Sequence, residues 1–188
     1  VDIGGGTTDI AVLSLGSIVT CKSIRVGGNK LDEALTRYMR RYHNLMIGER
    51  TAEDMKIQIG TAYPQDKEDE WMDIRGRDLV SGLPRTIKVT AAEAYQAMKE
   101  LIESILGATK EVLEKTPPEL SADIMNKGIV LTGGGALLHG LDKYLSDHTK
   151  LPICIADNPI QCVAIGTAKA LEKIDMLENA RSLKMASR

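Results

Sequence analysis

At 188 residues, with apolar side chains at 43% and charged ones at 27%, the chain has the make-up of a globular protein with one generous domain or two small ones. A formal net charge of −2, with no basic block, leaves nothing to neutralise a nucleic-acid backbone and excludes nucleic acid as a main partner. No apolar run approaches the length of a membrane span, and no signal peptide is visible.

Residues 1–14, VDIGGGTTDIAVLS, place three glycines between two short β-branched apolar runs, 1–3 and 10–13, which predicts strand, turn, strand. Gly4, Gly5 and Gly6 reach backbone angles closed to other residues, and without Cβ atoms their N–H groups can come close to a ligand. Successive N–H groups in such a turn make a concavity suited to phosphate oxygens. Thr7 and Thr8 add hydroxyl donors at its mouth. Asp2, at the strand end, would repel a phosphate unless a cation lay between them, and so points to Mg2+ held through water. A plain glycine hairpin is the better reading of a lone triple glycine. The combination with Asp2, paired threonines and a second triple glycine downstream favours a ligand loop. The chain begins at Val1, inside this strand, which points to a fragment whose preceding half has been removed.

Residues 17–25 read as a further strand, broken by Val26-Gly27-Gly28-Asn29. Asn29 is placed as the N-cap of a helix, with Asp32 at its third position beside the positive helix end. Leu31, Ala34, Leu35, Tyr38, Met39, Tyr42 and Leu45 recur at helical spacing, with Arg37, Arg40 and Arg41 opposite. Thr51 is placed as the cap of a short helix ending near Gly60, with Glu53 and Asp54 in its first turn. Glu53 and Lys56, three apart, project from one side of it. They form either an internal ion pair or a pair facing ribose and base; spacing does not choose.

Residues 63–70 form a charged, solvated loop. Runs 71–74 and 78–80 flank Arg75-Gly76-Arg77 as a hairpin, 81–84 is a second turn, and 86–89 another strand. Thr90-Ala91-Ala92-Glu93 is a capping box opening the longest helix, whose buried stripe is Ala91, Ala94, Met98, Leu101, Ile102, Ile105 and Val112. Pro117-Pro118 ends it. A short helix over 119–126 closes at Lys127-Gly128, and a buried strand, 129–132, leads into Gly133-Gly134-Gly135. A helix over 136–146 and a strand over 152–155 follow. Pro159 opens a helix rich in small residues (Ala164, Gly166, Ala168, Ala170), suited to close packing on a sheet. The tail from Glu172 reads as fraying helix, with 180–188 disordered. The three cysteines (Cys21, Cys154, Cys162) lack a CxxC pair and read as buried, reduced thiols. The three histidines (His43, His139, His148) lack metal-ligand spacing and belong on solvated surface. The pattern predicts a mixed-sheet α/β or α+β core, with roughly 28–89 as an insertion carrying its own small sheet and helices.

The second glycine turn runs strand, triple glycine, helix, and a helix N-terminus is a seat for phosphate. Small residues there also let a flat base lie against the backbone. It is neither a G-x-G-x-x-G fingerprint nor a Walker A loop, and alone it is equally well a ligand-free connection. Two triple-glycine turns converging on one cleft point to a nucleotide phosphate as their common ligand.

VDIGGGTTDIAVLS resembles the second phosphate-binding motif of the actin and sugar-kinase superfamily, and IVLTGGGALLHGLDKYL resembles its adenosine motif. Within that group, IGERTAEDMKIQIG, RGRDLVSGLPRTI and EKTPPELSADI resemble the MreB/Mbl-type rod-shape-determining proteins, bacterial actin homologues, over nearly the whole chain. The resemblance implies an α/β fold, the second half of an actin-like ATPase. Residues 1–27 and 90–188 would be its ribonuclease H-like subdomain and 28–89 an inserted small α+β subdomain, with the N-terminal half of the fold missing. It implies ATP and Mg2+ as cofactors. Gly4, Gly5, Gly6, Thr7 and Thr8 would hold the β- and γ-phosphates, Asp2 would orient the Mg2+ water shell, and Glu53 and Lys56 would meet ribose and adenine. Gly133, Gly134, Gly135 and Ala136 would lie under the adenosine and α-phosphate.

The catalytic glutamate would lie in the missing half, with Thr7 helping to place the attacking water, so ATPase activity is expected of the full-length protein and not of this fragment. The resemblance also implies cytoplasmic filaments at the inner face of the cell membrane that direct cell shape and lateral wall synthesis. Partners would be further copies of itself and membrane-bound cell-shape and wall-synthesis proteins, with membrane contact through the missing half and no nucleic acid. The rival reading is a sugar or carboxylate kinase of the same superfamily, for which no acidic acceptor pocket is evident; a chaperone-type ATPase ranks lower.

Overall fold

The computed structural model describes residues 1–172. β1 (Asp2–Ile3), β2 (Thr8–Ser14) and β3 (Ser17–Ile24) form an antiparallel meander in that order. Along β2, buried Thr8 and Ile10 alternate with exposed Asp9 and Ala11, the period-two signature of a sheet covered on one face. α1 (Gly28–His43) follows, burying Leu31, Ala34, Leu35 and Met39. It opens two residues earlier than expected, after Gly27 in extended conformation, so Asn29 is not its cap and Asp32 falls beyond the first turn. No capping side chain is needed there. The N–H groups of Gly28 and Asn29 donate to the carbonyls of Gly4 (2.9 Å) and Gly5 (2.8 Å). Asn44, left-handed with φ 52°, ends α1, so Leu45, though buried, belongs to β4 (Leu45–Met46) and Tyr42 is exposed.

α2 (Glu49–Gln58) starts from Gly48, which places Thr51 inside the helix rather than at its cap. β5 (Trp71–Asp78) runs unbroken through Arg75-Gly76-Arg77, so the expected hairpin there does not exist. The chain turns instead between Asp78 and the start of β6 (Pro84–Thr90), and β4, β5 and β6 form an antiparallel sheet in that order. Gly76 is a glycine because any Cβ would strike the Met46 carbonyl on the neighbouring strand.

The true turn is tied by Asp78. Its carboxylate accepts from the N–H groups of Ser81 and Val80 (both 2.8 Å) and from the Arg85 guanidinium (2.8 Å). These bonds, Ser81 first and then Arg85 and Val80, hold its pKa down at about 2. The folded value lies below the ordinary one, so the stabilisation is complete above about pH 4. It is lost as pH falls toward 2. Hydrogen exchange at the Val80 and Ser81 amides is expected to accelerate across that window, and Asp78→Asn to remove the pH dependence.

α3 (Ala91–Glu114) has both halves of the capping box: Glu93 N–H donates to Thr90 Oγ1 (3.3 Å) and Thr90 N–H to Glu93 Oε2 (2.9 Å). Its buried stripe includes Met98, Ile102, Ile105 and Val112, while Leu101 is only half-buried. α4 (Pro118–Lys127) and β7 (Ile129–Leu131) lead into the second triple glycine. The helix expected over 136–146 is not continuous. A single 3-10 turn, Gly134–Leu137, comes first, Gly140 at φ 70° interrupts, and α5 (Leu141–Thr149) starts only then. β8 (Ile153–Ile155) pairs parallel with β7, and α6 (Cys162–Leu171) closes the described chain.

α6 does not pack its small residues on a sheet: Ala164, Gly166, Ala168 and Ala170 are all exposed. Burial of the cysteines is likewise corrected, since Cys21 and Cys154 are exposed and Cys162 half-buried. His139 and His148 are exposed, but His43 is half-buried against Glu93 (2.9 Å). The tail expected to fray and disorder lies, from residue 173 on, outside the described residues.

β1 and β7 are joined through a parallel bridge between Asp2 and Thr132. Ile3 N–H donates to the Thr132 carbonyl and Thr132 N–H to that of Val1, both at 2.8 Å. The meander and the β7–β8 pair thereby become one mixed sheet in the order β3-β2-β1-β7-β8. α3 packs on β2 and β3, and α1 packs on both α2 and α3. Ile3, Leu131 and Ala136, all fully buried, put the core directly beneath both glycine turns.

Candidate functional site

The two glycine turns are adjacent because the strands feeding them are neighbours. The first turn is closed by Gly4 N–H donating to the Thr7 carbonyl (2.9 Å) and is backed by Gly27, whose Cβ, if it had one, would lie 2.6 Å from the Gly4 carbonyl oxygen. The second turn lies against β1. A Cβ on Gly133 would meet the Ile3 carbonyl, and one on Gly135 the Ile3 side chain. Between them opens a cleft of about 1250 Å3 lined by Gly4, Gly5, Gly134 and Gly135, together with Glu53 and Lys56 from α2. That is room for a nucleotide.

Other expected site residues fall differently. Gly6 is exposed with open space around it, and Thr7 is exposed with its Oγ1 donating to Asp9 Oδ2 (2.9 Å). Thr8 is corrected: its side chain is fully buried and its hydroxyl donates to the Val26 carbonyl (2.7 Å), so it offers no donor at the mouth of the turn. Gly133 and Ala136 are buried behind Gly134 and Gly135 rather than on the cleft wall. Asp2 is half-buried, with Oδ1 accepting from Thr132 Oγ1 (2.9 Å). The helix end expected to seat a phosphate after the second turn is a single 3-10 turn, too short to supply a helix dipole. Among the described residues no cluster of three or more His, Cys, Asp or Glu side chains could hold a metal by itself. Asp2, a carboxylate beside both glycine turns, is a donor of the kind that meets Mg2+ through its water shell.

The Glu53–Lys56 question resolves against an internal pair. Lys56 Nζ donates to Asp32 Oδ2 on α1 (2.8 Å) and lies 3.4 Å from the Gly28 carbonyl oxygen. Both Glu53 and Lys56 face the cleft. Sequence reasoning missed Gly28, Asn29 and Asp32 at the start of α1, which line it too, and the apolar trio Ile57, Leu137 and Ile160. Those three are exposed, at 70%, 55% and 67%, beside the bare backbone of Gly134, a surface on which a flat apolar ring can lie. The Gly27-Gly28 pair was the available signal for the α1 wall. Nothing local marks the apolar trio. The segment after α2 is tied to the one after the second turn by Ala62 N–H donating to the His139 carbonyl (2.8 Å) and by the fully buried Thr61, which pairs with His139.

A family model described as MreB/Mbl protein matches residues 1–179. The cell shape-determining protein Mbl of Bacillus cereus is 56% identical over 177 residues, covering 94% of this chain and 53% of that protein. The crystal structure of MreB5 of Spiroplasma citri bound to AMPPNP superposes with a TM-score of 0.87 at 43% identity, over 95% of this chain and 54% of that one. The MamK double helical filament shares the fold, with a TM-score of 0.70 at 24% identity, over 85% of this chain and 49% of that one. The chain thus spans about half the length of the proteins it matches.

Proposed function

The chain belongs to the MreB/Mbl family and has its actin-like α/β fold, and from that premise we propose that it is the ATP-binding half of a cell-shape-determining filament protein. The observation that carries this reading is the convergence of Gly5, Gly134, Glu53 and Lys56 on one nucleotide-sized cleft. Residues 1–27 and 90–188 are assigned to the ribonuclease H-like unit, a division supported, as far as the described residues run, by the strand order β3-β2-β1-β7-β8, and 28–89 to the insert, supported by the separate β4–β5–β6 sheet.

Gly5 and Gly6 turn backbone N–H groups toward the β- and γ-phosphates, while Gly4, whose own N–H is spent on the Thr7 carbonyl, holds the turn closed beneath them. Glu53 and Lys56 face the ribose and base, and Gly134 and Gly135, with Gly133 and Ala136 fixing their backbone from behind, lie under the adenosine. Asp2 would orient the water shell of Mg2+, which would supply charge neutralisation on the phosphates when bound. Thr7, exposed at the turn, helps place the attacking water. The remaining half of the relatives' length supplies the other wall and the catalytic glutamate, so hydrolysis belongs to the whole protein. Subunits join head to tail into cytoplasmic filaments at the inner membrane face, where membrane-bound partners direct wall synthesis. Within the described residues no helix is long and apolar enough to cross a membrane.

The full-length protein is expected to pellet on ultracentrifugation with ATP and Mg2+ and to stay in the supernatant without them. Failure to pellet, together with ATP consumption stimulated by a sugar or carboxylate, would establish the kinase instead.

A further inference from the structure

Among the residues lining the cleft, one buried and unpaired polar atom belongs to a residue with no role in the reading above. Asp32, on the face of α1 that lines the cleft, gives Oδ2 to Lys56 (2.8 Å), while its Oδ1 is buried with no hydrogen-bond partner among the described residues. Burial is the main influence on this carboxyl and pushes its pKa up; the Lys56 ammonium opposes that and the nearby Glu53 charge adds to it. A buried acceptor without a donor is costly, and native sites satisfy it with solvent or a ligand. Phosphate at neutral pH offers no donor and would be repelled by this carboxylate. The donors of an adenine nucleotide all lie on its nucleoside: the ribose hydroxyls and the exocyclic amine.

We propose that Asp32 is a specificity-determining residue: its carboxyl, whose Oδ1 is sealed from solvent in this structure, turns about its soft terminal torsion so that the oxygen not held by Lys56 accepts a hydrogen bond from the nucleoside portion of the bound nucleotide. This rests on the nucleotide-binding reading above. The pairing with Lys56 explains why a carboxylate is tolerated in the wall, since the two charges offset each other and leave one oxygen for the ligand. Specificity built this way is strong, because an analogue lacking the donor leaves that oxygen unpaired.

The test is equilibrium binding of ATP, 2′-deoxy-ATP, 3′-deoxy-ATP and inosine triphosphate to the full-length protein and its variants. The unsubstituted protein should bind the analogue lacking the partnering donor about ten-fold or more weakly than ATP. Whichever analogue shows the loss identifies the donor as a ribose hydroxyl or the amine. In Asp32→Ala that ratio should collapse to about one, and in Asp32→Asn, which keeps an acceptor oxygen, it should survive in part. Lys56→Met should weaken all four ligands yet preserve the ratio, which a merely structural role for Asp32 would not predict. Ratios that are the same in the unsubstituted protein, Asp32→Ala and Asp32→Asn would overturn the proposal. Failure of the unsubstituted protein to bind any of the four would instead overturn the nucleotide reading beneath it.

Discussion

Replacing Gly133 with alanine is expected to lower Tm by roughly 4–24 °C and to abolish nucleotide binding, at about 2–4 °C per kcal/mol for a protein of this size. Gly133 sits at φ 80° and ψ 168°, a region of backbone space essentially reserved for glycine. Holding another residue there costs about 1–3 kcal/mol. Sterics add to this. A Cβ would strike the Ile3 carbonyl and lie 2.7 Å from Asp2 Oδ1, in a buried position where overpacking costs about 1–3 kcal/mol more. The turn cannot slide away, because Gly133 N–H is tied to the Pro159 carbonyl (2.9 Å) on one side and β7 to β1 on the other. Gly134→Ala is the control: its Cβ would meet nothing within 4 Å, so Tm should hold while binding in the cleft weakens. Scanning calorimetry separates the two, and equal melting temperatures would show that β1 and β7 do not constrain the turn.

The neighbouring threonines of the first turn should respond in opposite ways. Thr8→Val keeps the shape of the side chain but leaves the Val26 carbonyl without its donor in the interior, a loss of about 1–3 kcal/mol. Thr7→Ala removes an exposed hydroxyl bonded only to the adjacent Asp9 and should change stability by no more than about 0.5 kcal/mol. ATP hydrolysis by the full-length protein should show the reverse order, slowed ten-fold or more by Thr7→Ala, on the order seen when a group positioned at the reacting centre is lost. Urea midpoints and single-turnover rates test both halves. A Thr8→Val protein as stable as the original would mean that its hydroxyl is not structural.

What could be read from the chain was what short-range chemistry determines. The Thr90–Glu93 box, the strands around the first glycine turn and the close of α4 at Gly128 depend on residues a few positions apart. The errors arise where a distant segment decides. Arg75-Gly76-Arg77 has the composition of a turn, yet Gly76 is there because the Met46 carbonyl crosses it inside a sheet. Leu137, Leu138 and Leu141 keep helical spacing across a break imposed by Gly140, where a Cβ would collide with Tyr63 (2.6 Å), a residue far off in the chain. Thr8 looked like its neighbour until β3 brought Val26 against it. In the candidate site the glycine turns were legible because glycine is needed for backbone reasons that leave a trace in composition. Asp32 was not, because its partner Lys56 lies on another helix and its depth is a property of packing.

α3 has a mechanical corollary. Its first turn is locked to the end of β6 by the capping box, and its length carries it across the back of β2 and β3 without a break. Its far end is held as firmly: Ala108 and Val112 are buried with Ile10 of β2, and Glu111 pairs with Lys22 of β3. At 24 residues, about 36 Å, the helix is a tie-rod between the last strand of one sheet and the edge of the other. The two sheets cannot part without breaking one of its ends.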